Sequence, residues 1–254
     1  MVLITLMTDF GGHYLGIMKG VIKSRSPAAE VVELSEVEPF DVKGAAFVLY
    51  SSYRYFPQGT IHVVVVDPGV GSERKAIAVR TKNYTFVGPD NGVLIPAARD
   101  DGIVEVREIT NRSILLREVS TTFHGRDVFA PVAAFLANGG RLEEVGGRLK
   151  KFEELEFFKE ISGGTISCEI LFVDRFGNLT LSIVEKDAEL DGEVEVKVAD
   201  RTHRANRVGT YADGTEGLLL LVGSAGFYEL AVKNGNASEI TRALVGDKIT
   251  ITKT

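Results

Sequence analysis

The stretch TIHVVVVDPGVGSER, residues Thr60 to Arg74, sets a saturated apolar run directly against an acid, a proline and two glycines. Four consecutive valines suit a strand buried on both faces, the situation of an inner strand in a parallel sheet. That strand ends at Asp67, the residue before Pro68. Open α/β sheets bind ligands at the carboxyl ends of their strands, so Asp67 and the nearby Arg74 stand where a ligand would be met. No Gly-Lys-Ser/Thr ending follows the glycines, so this is not a phosphate-binding P-loop; the glycines suit close backbone approach or unusual dihedrals.

Working outward, residues 2–7 read as an apolar strand ending at TDFGG. HYLGIMKGVIKSRSP then places Leu15, Ile17, Met18, Val21 and Ile22 on a helical face stopped by Pro27. AEVVELS gives a second strand. DVKGAAFVLYSSYRYFP is the clearest helix, with Asp41 as its cap, a stripe of Val42, Ala45, Ala46, Leu49, Tyr53 and Phe56, and Pro57 as its stop. With the valine strand the order is β-α-β-α-β, which predicts a mainly parallel sheet with right-handed crossovers, an α/β/α sandwich. KAIAVRT and YTFVGPDNG continue as strands, and VFAPVAAFLANGG as a helix stopped at Gly139–Gly140.

The texture changes after KKFEELEFFKEISGGT. From there SCEILFVD, NLTLSI, EVEVKV, LLLLVG and YELAV recur as short strands with no long helix between them. This predicts a smaller, antiparallel, barrel-like β domain over residues 161–254, following an α/β domain over residues 1–160.

The chain has 254 residues, 44% of them hydrophobic and 25% charged, with a net charge of -6 and no basic run. That argues against nucleic acid or an anionic membrane as the partner and leaves a small molecule. No apolar stretch is long enough to span a bilayer, and MVLITLMTDF lacks the basic start and cleavage site of a signal peptide. The single cysteine, Cys168, sits in an apolar strand and reads as core. A cytoplasmic protein is expected.

Three loops of the first domain gather polar residues at strand ends. Asp9 in TDFGG is either a helix N-cap or a carboxylate for a ribose diol. Asp67 and Arg74 are either part of a site or an exposed ion pair of little energetic weight. In STTFHGRDVFAP, His124 alone among the four histidines combines a glycine-flanked loop with nearby charges, and Asp127 suits a helix cap. Asp9, Asp67, Asp90, His124 and Asp127 are hard donors, yet no H-x-H, H-E-x-x-H or D-x-D spacing organises them, so no metal is expected. In the second domain, VDRFGN offers Asp174, Phe176 and Asn178 as a hairpin turn or as an aromatic ring and amide for a base. GSAGFYELAV adds Ser224 and Glu229 as polar contacts.

Six segments in order, TDFG, VDPGVGSER, GPDNG, TFHGRDVFAP, DRFGN and GSAGFYELAV, resemble the S-adenosylmethionine hydroxide adenosyltransferases, relatives of the enzymes that make 5′-fluoro- and 5′-chloro-deoxyadenosine. The resemblance runs from about Thr8 to Ala237. It implies an enzyme that cleaves S-adenosylmethionine with water into adenosine and L-methionine, with no metal or organic cofactor. It also implies that Asp67 polarises the water while Arg74 and His124 orient that acid and stabilise the hydroxide-like species. Asp9 would hold the ribose hydroxyls, Phe176 and Asn178 the adenine with Tyr211 as a second stacking face, and Asp174 and Ser224 the methionine ammonium and carboxylate. The family's pocket lies between subunits of a homotrimer. Halogenating relatives carry Tyr-Ser where this chain has His124–Gly125, a Ser-Arg pair where it has Ser224–Ala225, and an extra surface loop without a counterpart here. These departures favour water over halide. The competing readings are a 5′-halogenase, a non-catalytic S-adenosylmethionine or adenosine binder, and a metal-dependent phosphoesterase.

Overall fold

The computed structural model describes residues 1–253. They pack as two compact units, Met1–Leu155 and the residues from Glu156 onward. In the first unit, β1 (Leu3–Thr8), α1 (Gly12–Arg25), β2 (Glu30–Glu36), α2 (Val42–Ser52) and β3 (Ile61–Val65) follow the β-α-β-α-β order read from the sequence. β4 (Ala76–Thr81), β5 (Thr85–Pro89), α3 (Ile95–Asp101), β6 (Ile103–Glu108) and α4 (Ala130–Ala137) complete it. The sheet order is β2-β1-β3-β5-β4-β6. β2, β1, β3 and β5 pair in parallel, and β4 runs antiparallel to both of its neighbours.

α1 packs beside α4, and α2 beside α3. Ile4, Leu6, Val63 and Val65 share one core with Met18 and Ile22 of α1 and with Ala130 and Ala133 of α4. Sealing such a side chain from water is worth about 1.5–3 kcal/mol. Asp41 caps α2 as expected, accepting from the Gly44 N–H at 2.8 Å. Because the chain moves from β1 out to β2 and back past β1 to β3, the strand order reverses between β1 and β3. The crevice beyond the carboxyl ends of these two strands is where an open α/β sheet takes its ligand.

The alternate residues of β1 and β3 hold a buried polar pair. His62 Nδ1 lies 2.8 Å from Thr5 Oγ1, and both residues are buried. The imidazole stacks on Phe86 with Tyr53, Phe56 and Tyr84 around it, and its Nε2 is buried without a partner. Burial pushes its pKa down to about 3. The unfolded chain therefore binds a proton here between pH 6.5 and 3 that the folded chain refuses, so stability present above pH 6.5 is lost on acidification. Urea unfolding at pH 7 and pH 4 should show a loss on the order of 3 kcal/mol that is absent from His62→Leu. Equal pH slopes in the two proteins would remove the imidazole as the cause.

The second unit contains β7 (Lys159–Ser162), β8 (Thr165–Val173), β9 (Leu179–Val184), β10 (Glu193–Val198), β11 (Arg201–Arg207), β12 (Leu218–Val222), β13 (Phe227–Val232), α5 (Ala237–Thr241) and β14 (Lys248–Lys253). Its sheet runs β14-β10-β11-β12-β13-β9-β8, and β8 pairs back onto β14. That closes a seven-stranded, barrel-like sheet, with β7 added along β8. Every pairing is antiparallel except β11 with β12. β10 shows the expected alternation, with Val194, Val196 and Val198 inside. Closure leaves no free edge along the ring. Cys168 is buried in this core, and burial pushes its thiol up to about 12.

Candidate active site

The crevice between β1 and β3 is occupied by a cavity of about 230 Å³, lined by Asp9, Phe10, Pro39, Phe40, Val65, Asp67, Val70 and Thr122–Gly125. Asp9 and Asp67 come from loops at strand ends, and Thr122 and His124 from the segment leading into α4. The Asn91 side chain of GPDNG donates to the Val66 carbonyl at 2.8 Å and fixes the end of the valine strand. Asp67 then starts a tight turn, its carbonyl accepting from Val70 N–H at 3.1 Å. Gly71 has φ +79°, and a Cβ there would come 2.4 Å from the Thr121 carbonyl oxygen, so this loop presses directly on the loop that carries His124.

Asp67 and Arg74 are not an exposed pair. Their side chains are 5% and 10% accessible, and the guanidinium grips the carboxylate with both Nε, at 2.8 Å, and Nη2. Such a two-pronged bond fixes direction as well as distance. The same Nη2 reaches His124 Nδ1 at 2.8 Å, and the guanidinium lies over the Phe129 ring. Arg74 is thus the bridge between acid and imidazole. A guanidinium only donates, so His124 Nδ1 must be the accepting nitrogen, and the neutral ring carries its proton on Nε2. Burial and then the neighbouring Arg74 charge lower the His124 pKa, which holds the ring neutral. Within this bonded set the remaining acceptor capacity therefore belongs to Asp67.

Asp9 does not cap α1. Gly11 occupies the cap position without a side-chain bond, and the Asp9 carboxylate turns instead to the Phe40 N–H at 3.0 Å. This holds Phe40 at φ +64°, with its ring exposed on the rim of the cavity. Asp127 does not cap its helix either. Its fully buried carboxylate accepts from Ser120 N–H and from Arg126. Among the described residues no three His, Cys, Asp or Glu side chains converge as a metal site.

The second unit has its own cavity, about 580 Å³, lined by Asp174, Phe176, Asn178, Tyr211, Ala212 and Val232–Gly235. Asp174 Oδ1 accepts from the N–H groups of Phe176 and Asn178 at 2.8 and 2.9 Å, and Oδ2 accepts from the Asn178 amide at 2.9 Å. The β8–β9 hairpin turn and the possible base-reading group are therefore one structure. It presents Phe176 to solvent, 76% exposed. Gly177 has φ +80°, and a Cβ there would collide with Asn236 at 1.9 Å. Tyr211 donates to Glu229, whose pKa is raised by burial and by the Asp174 charge. Lys233 Nζ ties the Tyr211 turn through the Ala212 and Gly214 carbonyls at 3.0 Å each. Ser224 lies on the turn between β12 and β13 and does not line this cavity.

The sequence reading did not pick out Pro39, Phe40, Val70 or Phe123 in the first cavity, or Lys233 and Asn234 in the second. The loop after β2 carried a usable signal: it too leaves the carboxyl end of a strand beside the reversal point, and EPFD puts an aromatic there.

Residues 4–146 match the SAM hydroxide adenosyltransferase N-terminal domain, and residues 168–250 match its C-terminal domain. The (R)-S-adenosyl-L-methionine hydrolase of Salinispora arenicola is 39% identical, with 98% of this chain and 97% of that protein covered. A fluorinase from Actinoplanes is 28% identical over 75% of this chain and 74% of its own. The crystal structure of an uncharacterized conserved protein from Thermotoga maritima superposes with a TM-score of 0.91 at 41% identity, covering 98% of this chain and all of that one.

Proposed function

The chain belongs to the SAM hydroxide adenosyltransferase family, and on that premise we propose that it hydrolyses S-adenosyl-L-methionine to adenosine and L-methionine, with Asp67, Arg74 and His124 as the catalytic residues. The observation that carries the reading is Arg74 Nη2 bonded at once to the Asp67 carboxylate and to His124 Nδ1, two groups that line a cavity walled largely by apolar side chains.

The chemistry follows from that arrangement. Water attacks ribose C5′, the C5′–sulfur bond breaks, its electron pair returns to sulfur as methionine leaves, and one proton is released. Asp67 accepts a hydrogen bond from the attacking water and takes its proton as the new C–O bond forms. Arg74 holds the carboxylate in one direction, and the His124 Nε2–H donates toward the oxygen on which charge develops. A hydroxide-like nucleophile and a sulfonium neutralise each other in the transition state, so the apolar walls of Phe10, Val65, Val70 and Phe123 favour the step over bulk water. The sulfonium carries its own leaving group, so the step calls for no metal or organic cofactor.

In this reading Asp9 binds the ribose diol, and Phe176, Asn178 and Tyr211 bind adenine. Asp174, Ser224 and Glu229 bind the methionine end. The first cavity is small for the whole substrate. In this reading, as the family resemblance implies, the protein is a homotrimer whose sites are completed at subunit interfaces, with which so small a cavity accords. The R descriptor in the relatives' name falls on sulfur, because L-methionine and adenosyl fix the other centres; we assign this chain the same epimer. We place the enzyme in the cytoplasm; no described helix is long and apolar enough to cross a membrane.

The test is incubation with each sulfonium epimer in halide-free buffer containing EDTA, followed by chromatography. Adenosine and methionine from the R epimer are expected. A 5′-halo product on adding chloride would indicate a halogenase, and binding without turnover a sensor. Chelator sensitivity would indicate a metal enzyme. Because Phe176 is exposed and supports no core, Phe176→Ala should leave folding intact and raise KM about five- to tenfold with kcat within about twofold, the mark of uniform binding. An unchanged KM would take the ring out of the site.

A further inference from the structure

Asp127 is fully buried, lines no part of the cavity, and has no role in the chemistry above. A carboxylate is not kept from water without partners that repay its desolvation. Those partners all belong to the segment in front of it. Oδ2 accepts from the Ser120 N–H at 2.8 Å, and Arg126 Nε and Nη2 reach Oδ1 and Oδ2 at 2.6 and 3.0 Å. Its own N–H donates to the Phe123 carbonyl at 3.2 Å, and its carbonyl accepts from Leu116 N–H at 3.1 Å. Side chain and backbone of one residue thus hold the loop from Leu116 to Phe123 at both ends and in the middle.

The loop so held is a wall of the site. It carries Thr122 and Phe123 of the cavity, ends at His124, and sets the Thr121 carbonyl against Gly71 of the Asp67–Arg74 loop. Arg126, fixed by Asp127, lies over the Phe123 ring at 5.2 Å. The turn carrying Asp127, Gly125–Phe129, is wound one residue wider than an α-helix, with the Ala130 N–H on the Gly125 carbonyl. Such widened turns concentrate at functional positions because they re-aim what precedes them. Here that residue is His124.

We propose that Asp127 is a positioning residue: it pins the Leu116–Phe123 loop so that His124 Nδ1 stays in register with Arg74. The inference rests on the hydrolase reading for its kinetic effect but not for its geometric one. A displacement of about 1 Å in a catalytic group lowers rates as much as 10²-fold.

The experiment combines steady-state kinetics with nitrogen-15 NMR of the histidine ring, the His124 signal being identified by its loss in His124→Gln. Wild-type protein should show a single neutral tautomer with the proton on Nε2. Asp127→Asn should show a mixture of tautomers, with kcat lowered about 30-fold and KM within about threefold. Ser120→Ala loosens the same loop at its surface, where Ser120 Oγ accepts from Thr122 N–H at 3.1 Å. It leaves no buried charge unpaired, and it should shift the tautomers the same way with a smaller loss of kcat, about threefold. If Asp127→Asn fails to fold, Ser120→Ala decides alone. A folded variant with one tautomer and a kcat within about twofold of wild type overturns the proposal. Wild-type protein with no turnover of either epimer would instead sink the hydrolase reading, and the NMR comparison would still judge Asp127.

Discussion

Replacing Asp67 with asparagine is expected to lower adenosine formation by about 10³-fold or more while leaving substrate affinity within about tenfold. Within the bonded set of Asp67, Arg74 and His124, the acid alone keeps acceptor capacity for a water. His124 Nδ1 is occupied by Arg74, and the guanidinium cannot take a proton. An asparagine keeps the shape but turns a donor toward Arg74 or toward the water, and either arrangement loses the base. Because one bond to Arg74 survives, the stability loss should stay near 1–3 kcal/mol, smaller than for alanine, which strands a buried cation. Rapid-quench measurement of adenosine at saturating substrate is the check. A rate within tenfold of wild type would move the base elsewhere.

The second large effect concerns Arg74→Lys, which preserves charge and discards geometry. The guanidinium makes two bonds to Asp67 and one to His124 from a single rigid fork. An ammonium on a flexible stem cannot span those partners at once, so Asp67 regains rotational freedom and the imidazole loses the bond that selects its tautomer. The expected result is a fall in kcat of about 10²-fold with KM within about fivefold. The substitution also loses the contact with the Phe129 ring. More than half of wild-type kcat would mean that charge alone suffices and that the fork is structural.

The sequence exposed the strand ends well and the cavity's rim poorly. Val63 to Val66 suited an inner strand, and with β3 inner, Asp67 stands at the ligand-binding edge; local pattern and the β-α-β-α-β order carried that reading. The grouping of Arg74 with His124 came from the family resemblance and not from local pattern, because their closeness depends on Gly71 pressing against Thr121. Asp9 read equally well as a helix cap, and its actual partner, the Phe40 N–H, comes from a residue in a left-handed conformation that no local rule predicts for phenylalanine. Likewise Asp127 read as a cap because its position suits one, whereas a widened turn redirected it to Ser120. α3 was missed because seven residues with a proline in the first turn give too little periodicity. In the second unit, KITITK alternates plainly and could have been read as β14, but its pairing with β8, which closes the ring, is set by register between distant segments.

Turnover in ¹⁸O-labelled water tests the central claim most directly. Attack of an Asp67-activated water at C5′ predicts one ¹⁸O atom in the 5′-hydroxyl of adenosine and none in methionine, by mass spectrometry after a single turnover. Label in the amino-acid product, or adenosine without label, would contradict it.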